Sequence, residues 1–154
     1  MNLPVEPGSY ALTGIIFEPA RVSVGRLGIF DFLPGLYVYL GSALGTGGLR
    51  ARLCHHARRA ENPRWHFDYL RPCLTLAGGW LSLAPQRMEC AWSRAISGIP
   101  GVLAPAPGFG ARDCEAGCPA HLFRLPETVK PEDLGALLGQ SGDRSPATVI
   151  PFDL

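Results

Sequence analysis

Residues 35–59 read GLYVYLGSALGTGGLRARLCHHARR, and this stretch decides the fold. Apolar and aromatic side chains fill residues 36–40, which predicts a β-strand. Because side chains alternate along a strand, Tyr37 and Tyr39 are expected on one face. Gly41 is expected to end the strand and to begin a glycine-rich loop. The stretch therefore starts as a strand followed by a tight turn.

The second part of the stretch predicts an amphipathic helix over residues 49–60. Small and apolar side chains recur there at helical spacing. Four polar side chains fall together on the other side of the helix: Arg52, His55, His56 and Arg59. We therefore expect a helix with an apolar back and a cationic front.

The flanking sequence predicts further strands and helices. Strand patterns cover residues 10–17, 22–32, 74–83 and 121–125, and helical patterns cover residues 65–70, 88–95 and 131–138. The strands over residues 10–17 and 22–32 are expected to pair as a hairpin, and Gly78 and Gly79 are expected to bend the strand over residues 74–83. Together these elements predict an α/β (α+β) fold, with a small, mostly antiparallel mixed sheet of three to five strands flanked by helices.

Composition indicates one folded domain. The 154 residues are 47% hydrophobic and 18% charged, which supports a buried core and argues against disorder. No apolar run approaches the roughly 20 residues that span a bilayer, and the first residues do not resemble an export signal. Five scattered cysteines argue against a secreted disulfide framework. We therefore expect a soluble protein of the cytoplasm, without a membrane partner.

Charge is unevenly distributed along the chain. Residues 50–71 contain six arginines against two acids, together with three histidines, whereas residues 113–154 contain seven acids against three basic residues. The first segment is suited to an anionic partner, because arginine binds phosphate through paired N–H donors. The chain therefore predicts a basic face and an acidic tail.

The order of several polar residues fits the hydrolysis of phosphodiesters. That reaction needs an activated water, a cation to neutralise the phosphoryl oxygens and usually a carboxylate-bound metal. Candidates occur in this order: Gly8-Ser9-Tyr10 on the first strand, Tyr39-Leu40-Gly41 on a later one, Arg52 with His56 four residues on, and Glu89 on a later helix. This ordered set resembles the GIY-YIG nuclease superfamily.

Longer matches narrow that resemblance. Residues 35–59, 64–70 (RWHFDYL), 88–90 (MEC) and 108–123 (GFGARDCEAGCPAHLF) are similar to its small stand-alone, Uri-type branch, a DUF123-like domain of unknown function. The resemblance implies a GIY-YIG-like nuclease domain over residues 8–125. Residues 126–154 are then an acidic C-terminal extension with one short helix and a frayed end.

The resemblance implies a role for each matching residue. Tyr10 would position or deprotonate the attacking water, with Tyr39 beside it. Arg52 would hold the scissile phosphate, and His56 would contact phosphate or relay a proton. Glu89 would bind one Mg²⁺ or Mn²⁺ ion, largely through water.

Two features depart from the pattern of the superfamily. Tyr10 and Tyr39 are unusually far apart in sequence, so Tyr37, on the same face as Tyr39, is an alternative for the working tyrosine. Ser9 stands where an aliphatic residue is usual. Its side chain is expected to point away from the site, because neighbouring side chains on a strand alternate.

Further residues are candidates for binding nucleic acid. The glycine loop would allow the backbone to approach a phosphate, and aromatic side chains beside arginine would stack on bases. The predicted set is Ser42, Gly48, Arg50, His55, Arg59, Trp65 and His66. His66 and Asp68 are alternatively expected to form a hydrogen-bonded pair that supports the groove.

A possible zinc site follows from the spacing C-x3-C-x2-H. Cys114, Cys118 and His121 are zinc-type ligands, Cys90 can supply a fourth, and Asp113 adds an oxygen ligand. The alternative is a metal-free, buried clamp of cysteine and histidine side chains that holds the loop.

The sequence therefore predicts a metal-dependent endonuclease that hydrolyses DNA phosphodiester bonds. One basic helix and a short loop offer mainly phosphate contacts, so single-stranded or branched DNA is expected as substrate rather than a specific duplex site. Two alternatives remain. One is a non-catalytic nucleic-acid-binding module of the same fold, and the other is a structural-metal adaptor for a DNA repair partner.

Overall fold

A computed structural model of the chain describes residues 2–141 and 148–154. The strands are β1 (Gly8–Ile16), β2 (Ala20–Val24), β3 (Gly28–Phe32), β4 (Gly35–Ala43), β5 (Thr75–Ser82), β6 (Leu122–Arg124) and β7 (Ile150–Phe152). The α-helices are α1 (Gly48–Ala57), α2 (His66–Leu70), α3 (Glu89–Ser97) and α4 (Pro131–Gln140). Five strands form an antiparallel sheet in the order β6-β4-β1-β5-β7, and β2 and β3 form a separate pair. The predicted α+β class is confirmed.

The central sheet buries both of its faces because its strands alternate between two apolar sets. Tyr10 and Tyr39 belong to one core cluster, which includes the apolar side of α1 and α2. Ala11 and Leu40 belong to the other, which α3 and α4 cover. The shared face predicted for Tyr37 and Tyr39 is confirmed, since both lie in the first cluster. Residues that are neighbours in sequence thus serve opposite layers.

The predicted hairpin between the first strand and residues 22–32 is wrong. Residues 20–32 instead fold back on themselves, because Gly25 adopts a left-handed φ of 50° and the N–H of Leu27 donates to the carbonyl of Val24 at 2.9 Å. β1 pairs with β4 and β5 in the main sheet. A long apolar run therefore conceals a turn that only glycine makes possible.

Two predicted boundaries also differ from the structure. β4 continues past Gly41 to Ala43, because its whole length pairs with β1. α1 ends at Ala57, so Arg59 lies beyond the helix rather than on its predicted cationic front. The predicted bend in β5 is confirmed, with a register shift next to Gly78.

The shortness of β6 opens one edge of the sheet. β6 pairs with residues 37–39 of β4, and a final backbone bond joins the N–H of Leu40 to the carbonyl of His121 at 2.8 Å. Within the described chain, no strand continues this pairing beside residues 41–43. The two layers therefore meet at this end of β4.

The C-terminal segment packs onto the rest of the chain. The predicted helix over 131–138 is confirmed as α4, whose Leu134 and Leu138 are fully buried against α3. Residues 150–152 lie in the predicted frayed end, yet they pair with β5. Residues 142–147, in the same predicted end, lie outside the described part. Among the described helices, none has the length and apolar character needed to cross a bilayer.

Candidate active-site cleft

A cleft of about 1140 Å³ opens at the free edge of β4. Of the residues predicted as functional, these line it: Tyr10, Tyr39, Ser42, Arg52, Trp65, His66, Glu89, Cys114 and His121. They come from β1, β4, α1, α2, α3 and the loop before β6. The cleft therefore gathers residues that are up to 111 positions apart in the chain.

Tyr10, Tyr39 and Arg52 line one side of the cleft, and His56 lies behind Tyr10. These four residues are here called the tyrosine cluster. The hydroxyl of Tyr10 and Nε2 of His56 form a hydrogen bond of 2.7 Å. The rings of Tyr10 and Tyr39 lie 6.2 Å apart, and the ring of Tyr39 stacks on Phe67 at 4.8 Å. Of the two roles predicted for His56, the proton relay fits this position better than the phosphate contact, because His56 bonds to Tyr10 but does not itself line the cleft.

Burial keeps the titratable members of this cluster neutral. It raises the pKa of Tyr10 well above the usual value, and it raises that of Tyr39 to about 12. Burial, with a smaller effect from the Arg52 charge, lowers the pKa of His56 to about 3 rather than leaving it near neutrality. At neutral pH both phenols therefore carry their protons and the imidazole is uncharged. Nδ1 of His56 has no hydrogen-bond partner among the described residues.

The two motif glycines are required by close packing. Gly41 lies directly opposite Tyr10 in the sheet, and a Cβ atom there would overlap the Tyr10 hydroxyl. A Cβ atom at Gly8 would overlap the carbonyl of Ser82 on β5. Glycine at position 41 therefore gives the phenol its place at the cleft.

Arg52 is held at the mouth of the cleft by two contacts. Its Nη1 donates to the carbonyl of Ser42 at 3.3 Å, and its guanidinium carbon lies 4.4 Å from the centroid of the Trp65 ring. A guanidinium has five N–H donors, and its planar arrangement matches phosphate. Arg52 thus presents a positioned cation with donors still available.

Glu89 stands at the start of α3, between the tyrosine cluster and the loop before β6. The Ser42 hydroxyl donates to its Oε1 at 2.7 Å, while its Oε2 is buried with no partner among the described residues. Ser9 points away from Tyr10, as expected, and its Oγ accepts the N–H of Met88 at 3.0 Å. This contact fixes the backbone that carries Glu89. An unpaired carboxylate oxygen on a residue that lines the cleft fits a hard cation such as Mg²⁺.

On the other side of Glu89 lie Cys90, Cys114, Cys118 and His121, here called the cysteine cluster. Their ligand atoms all lie within 4.8 Å of one another, so together they can hold a metal ion. The sulfurs of Cys90 and Cys114 are 3.4 Å apart, and none of the three cysteines forms a disulfide. Asp113, predicted as an oxygen ligand, lines the cleft but is outside this group.

In a second group with metal-ligand chemistry, His55, His56 and Asp68, hydrogen bonds engage Nε2 of each histidine and both carboxylate oxygens, whereas Nδ1 of His56 has no partner among the described residues. His55 Nε2 bonds Asp68 Oδ1 at 2.9 Å, and the other carboxylate oxygen accepts the N–H groups of Arg64 and Trp65. Although burial raises the pKa of Asp68, these donors outweigh it and hold that pKa below the usual value. The network supports the backbone beneath Trp65.

The histidine and aspartate pair predicted in this region has a different composition. Asp68 pairs with His55, and the predicted partner, His66, accepts the N–H of Gly110 at its Nδ1 instead, at 2.9 Å. Burial lowers the pKa of His66. His66 and Asp68 are two residues apart on a helix and therefore point in different directions.

Several predicted nucleic-acid contacts lie elsewhere. The first N–H groups of α1 are occupied, because Leu49 donates to the carbonyl of Glu6 and Arg50 to that of Pro4. Gly48 packs against the same segment, and the Arg50 side chain donates to Leu3. These N–H groups are therefore not free to bind a phosphate at this end of α1. Arg59 is exposed outside the cleft.

The alternative working tyrosine, Tyr37, is also excluded by its position. Its hydroxyl donates to the carbonyl of Leu33 at 2.6 Å, at the far end of β4. Burial raises its pKa to about 12. Tyr37 thus acts as a core residue.

Three arginines outside the predicted set also line the cleft: Arg64, Arg87 and Arg112. Each comes from a different loop and is exposed. No periodic pattern marks such residues. The only signal in the sequence is that Arg64 precedes Trp65 and that Arg112 precedes the cysteine motif.

Comparison with protein families assigns the chain. The model of the family described as domain of unknown function DUF123 matches residues 9–140. The chain belongs to the DUF123 family. The matched part of this DUF123 chain includes every residue of the tyrosine and cysteine clusters and ends with α4, beyond residue 125. No curated protein and no solved structure matches it.

Proposed function

We propose that this protein is a metal-dependent endonuclease of the GIY-YIG type that hydrolyses DNA phosphodiester bonds. The observation that carries the proposal is the meeting of Tyr10, Arg52 and Glu89 in one cleft, from three separate elements. A phenol with a proton acceptor, a positioned guanidinium and an unpaired carboxylate are the groups that this hydrolysis requires. The five free thiols of the protein fit a reducing compartment such as the cytoplasm.

Arg52 binds the scissile phosphate. Its guanidinium lines the cleft and is held against Trp65, so it does not need to become ordered when the substrate arrives. Paired N–H donors suit the phosphoryl oxygens and the negative charge that builds on them during in-line attack.

Tyr10 and His56 form the proton path. An isolated phenol is a poor base at neutral pH, and burial makes Tyr10 a weaker acid still. With the imidazole proton on Nδ1, however, Nε2 of His56 accepts the hydrogen bond from Tyr10 and can take its proton as Tyr10 removes one from water. A bound phosphate also offsets the Arg52 charge, one of the effects that keep His56 uncharged.

Glu89 and the Ser42 hydroxyl would hold one Mg²⁺ or Mn²⁺ ion at the unpaired Oε2. Such an ion, when bound, stabilises negative charge on the reacting phosphate and the leaving oxygen. A single protein carboxylate leaves most of the coordination sphere to water and phosphate. We expect weak binding in the absence of DNA.

The lining of the cleft favours DNA with accessible single strands. Arg64, Arg87 and Arg112 add three cations to a lining that also contains Asp113 and Glu115, and 37% of the surface of Trp65 is exposed. Arginine with an exposed aromatic ring suits phosphates and unstacked bases. The described part of the cleft presents no long helix to a major groove, so base-specific reading of duplex DNA is not expected.

The decisive experiment compares cleavage of labelled single-stranded, duplex, flap and branched DNA, with Mn²⁺ or with EDTA. Wild type should cut the substrates with free single strands, and only with metal. Glu89→Gln should bind these DNAs as wild type does and cut on the order of 10³-fold more slowly. Glu115→Gln, which removes an exposed acid elsewhere in the cleft, serves as the matched control and should cut normally.

Each other outcome contradicts the proposal. DNA binding without cleavage by wild type would favour the non-catalytic module. Absence of both binding and cleavage would favour the adaptor for a protein partner. Equal cleavage of plain duplex would overturn the substrate preference alone.

A further inference from the structure

We propose that Cys90, Cys114, Cys118 and His121 bind one structural zinc ion that joins the start of α3 to the loop before β6. The binding itself stands on the donor set and its geometry. Only the expected effect on cleavage rests on the proposed nuclease function.

The spacing of the donor atoms fits tetrahedral zinc. The four ligand atoms lie within 4.8 Å of one another, and the Cys90 and Cys114 sulfurs are 3.4 Å apart. A zinc ion with bonds of about 2.3 Å to sulfur holds two thiolates ~3.8 Å apart. A disulfide would require about 2.0 Å. The cluster is therefore much closer to a metal site than to a disulfide.

His121 provides independent support for a ligand. Its side chain is 5% exposed, and its Nε2 has no hydrogen-bond partner among the described residues. A neutral imidazole nitrogen that accepts no hydrogen bond can serve as a metal ligand. A metal-free clamp would leave this buried nitrogen without a hydrogen-bond partner, at a cost in stability.

The chemistry of the donors selects zinc and a structural role. Three thiols and one imidazole are soft ligands, unlike the oxygen ligands that Mg²⁺ requires. Four protein ligands also fill a tetrahedral site and leave no position for a reacting water. This ion would therefore be distinct from the one at Glu89.

The position of the site explains what zinc would do. Cys90 follows Glu89 on α3, whereas the other three ligands belong to residues 114–121. The loop before them contributes Arg112 and Asp113 to the cleft. A shared ion would fix the position of this loop relative to the carboxylate of Glu89. It would also order a stretch that is otherwise without regular structure.

Elemental analysis tests the proposal directly. Protein purified in reductant, without a histidine tag, should contain one zinc ion per chain. Cys114→Ser and Cys118→Ser should fall below about one tenth of that content. Cys73→Ser is the matched control, since Cys73 is also partly buried but lies outside the cluster, and it should keep its zinc.

Cobalt binding tests the geometry in wild-type protein and does not depend on whether variants fold. Zinc-free wild type should develop the intense visible absorption of tetrahedral, thiolate-bound Co²⁺, and zinc should remove it while excess Mg²⁺ should not. The proposal would be overturned by weak absorption typical of octahedral Co²⁺. It would also be overturned if the reduced protein contained no zinc, or if Cys73→Ser lost as much zinc as the cluster variants. A Cys90–Cys114 disulfide in place of the metal would overturn it as well.

The effect on the cleft is measured separately. Removal of zinc with a chelator that does not bind Mg²⁺ should lower the Tm and slow cleavage about tenfold, and added zinc should restore both. If wild type cleaves no DNA at all, the nuclease proposal fails, while metal content and cobalt absorption still decide this one. Unchanged Tm after removal of zinc would overturn the structural role.

Discussion

The tyrosine cluster and the cysteine cluster lie on either side of Glu89 but differ in how their polar atoms are satisfied. In the tyrosine cluster, the Tyr10 hydroxyl is bonded to His56, and Arg52 to a backbone carbonyl and to the Trp65 ring. In the cysteine cluster, three thiols and an unpaired His121 nitrogen crowd together without strong acceptors. Glu89 combines the two situations, because its Oε1 accepts a hydrogen bond and its Oε2 has no partner among the described residues.

The difference indicates two kinds of chemistry within one cleft. Groups that already bond to one another are arranged to pass a proton or receive a phosphate with little rearrangement. Donor atoms that converge without partners are arranged for a cation.

Tyr10→Phe should abolish the proton path and leave the cysteine cluster intact. Loss of the hydroxyl removes the bond to His56, and we expect cleavage on the order of 10³-fold slower with DNA binding unchanged. Single-turnover rates measure this. Tyr37→Phe is the matched control. It also removes a tyrosine hydroxyl from the same core cluster, but at a position outside the cleft. A rate loss in Tyr37→Phe alone would reverse the assignment of the working tyrosine.

Gly41→Ala should displace Tyr10 without removing any polar group. The added methyl group would overlap the phenol hydroxyl, and a shift of about 1 Å should slow cleavage about 10²-fold. Gly45→Ala is the control in the loop that follows β4, since a Cβ atom there meets nothing within 4 Å. Equal rates in the two variants would mean that the position of Tyr10 is not important for cleavage.

Trp65→Leu should weaken the hold on Arg52. The cation–π contact at 4.4 Å is lost, so turnover should fall about tenfold. Trp65→Phe keeps an aromatic face and should recover part of the rate. In an Arg52→Lys background the tryptophan substitution should matter less, and full additivity in this double-mutant cycle would rule out the coupling.

The last effect is on stability against pH rather than on the rate of cleavage. An imidazole in the unfolded chain has a pKa near 6.5, whereas that of folded His56 is about 3. Between these values the unfolded chain binds a proton that the folded protein does not. The free energy of unfolding should therefore fall as the pH is lowered from about 6.5 towards 3, and stay level above that range.

Chemical denaturation of wild type and His56→Gln between pH 4 and 8 checks this expectation. The variant should show a shallower slope over the acidic range. Some slope should remain, because burial also lowers the pKa of His66 and of His121. Identical slopes would show that His56 is not held neutral by the fold.

Much of the architecture follows from local patterns. The alternation in residues 36–40, the helical spacing after Gly48 and the glycines of β5 predicted a strand, a helix and a bulge that the structure contains. Such patterns are readable because the two periods, about 2 and 3.6 residues, act over a few neighbours. The hairpin of β2 and β3 was not predicted correctly because its apolar run conceals the turn at Gly25.

The sequence by itself determined which chemical groups the chain carries and in what order, including the C-x3-C-x2-H spacing and the two tyrosine motifs. Only the tertiary structure decided which tyrosine reaches the cleft, that His56 is buried behind it, and that Cys90 joins the later ligands. It also decided that residues 3–6 occupy the end of α1 on which Gly48 and Arg50 lie. The physical reason is range: spacing sets the direction of a side chain within its own element, whereas burial and hydrogen-bond partners come from segments far away in sequence.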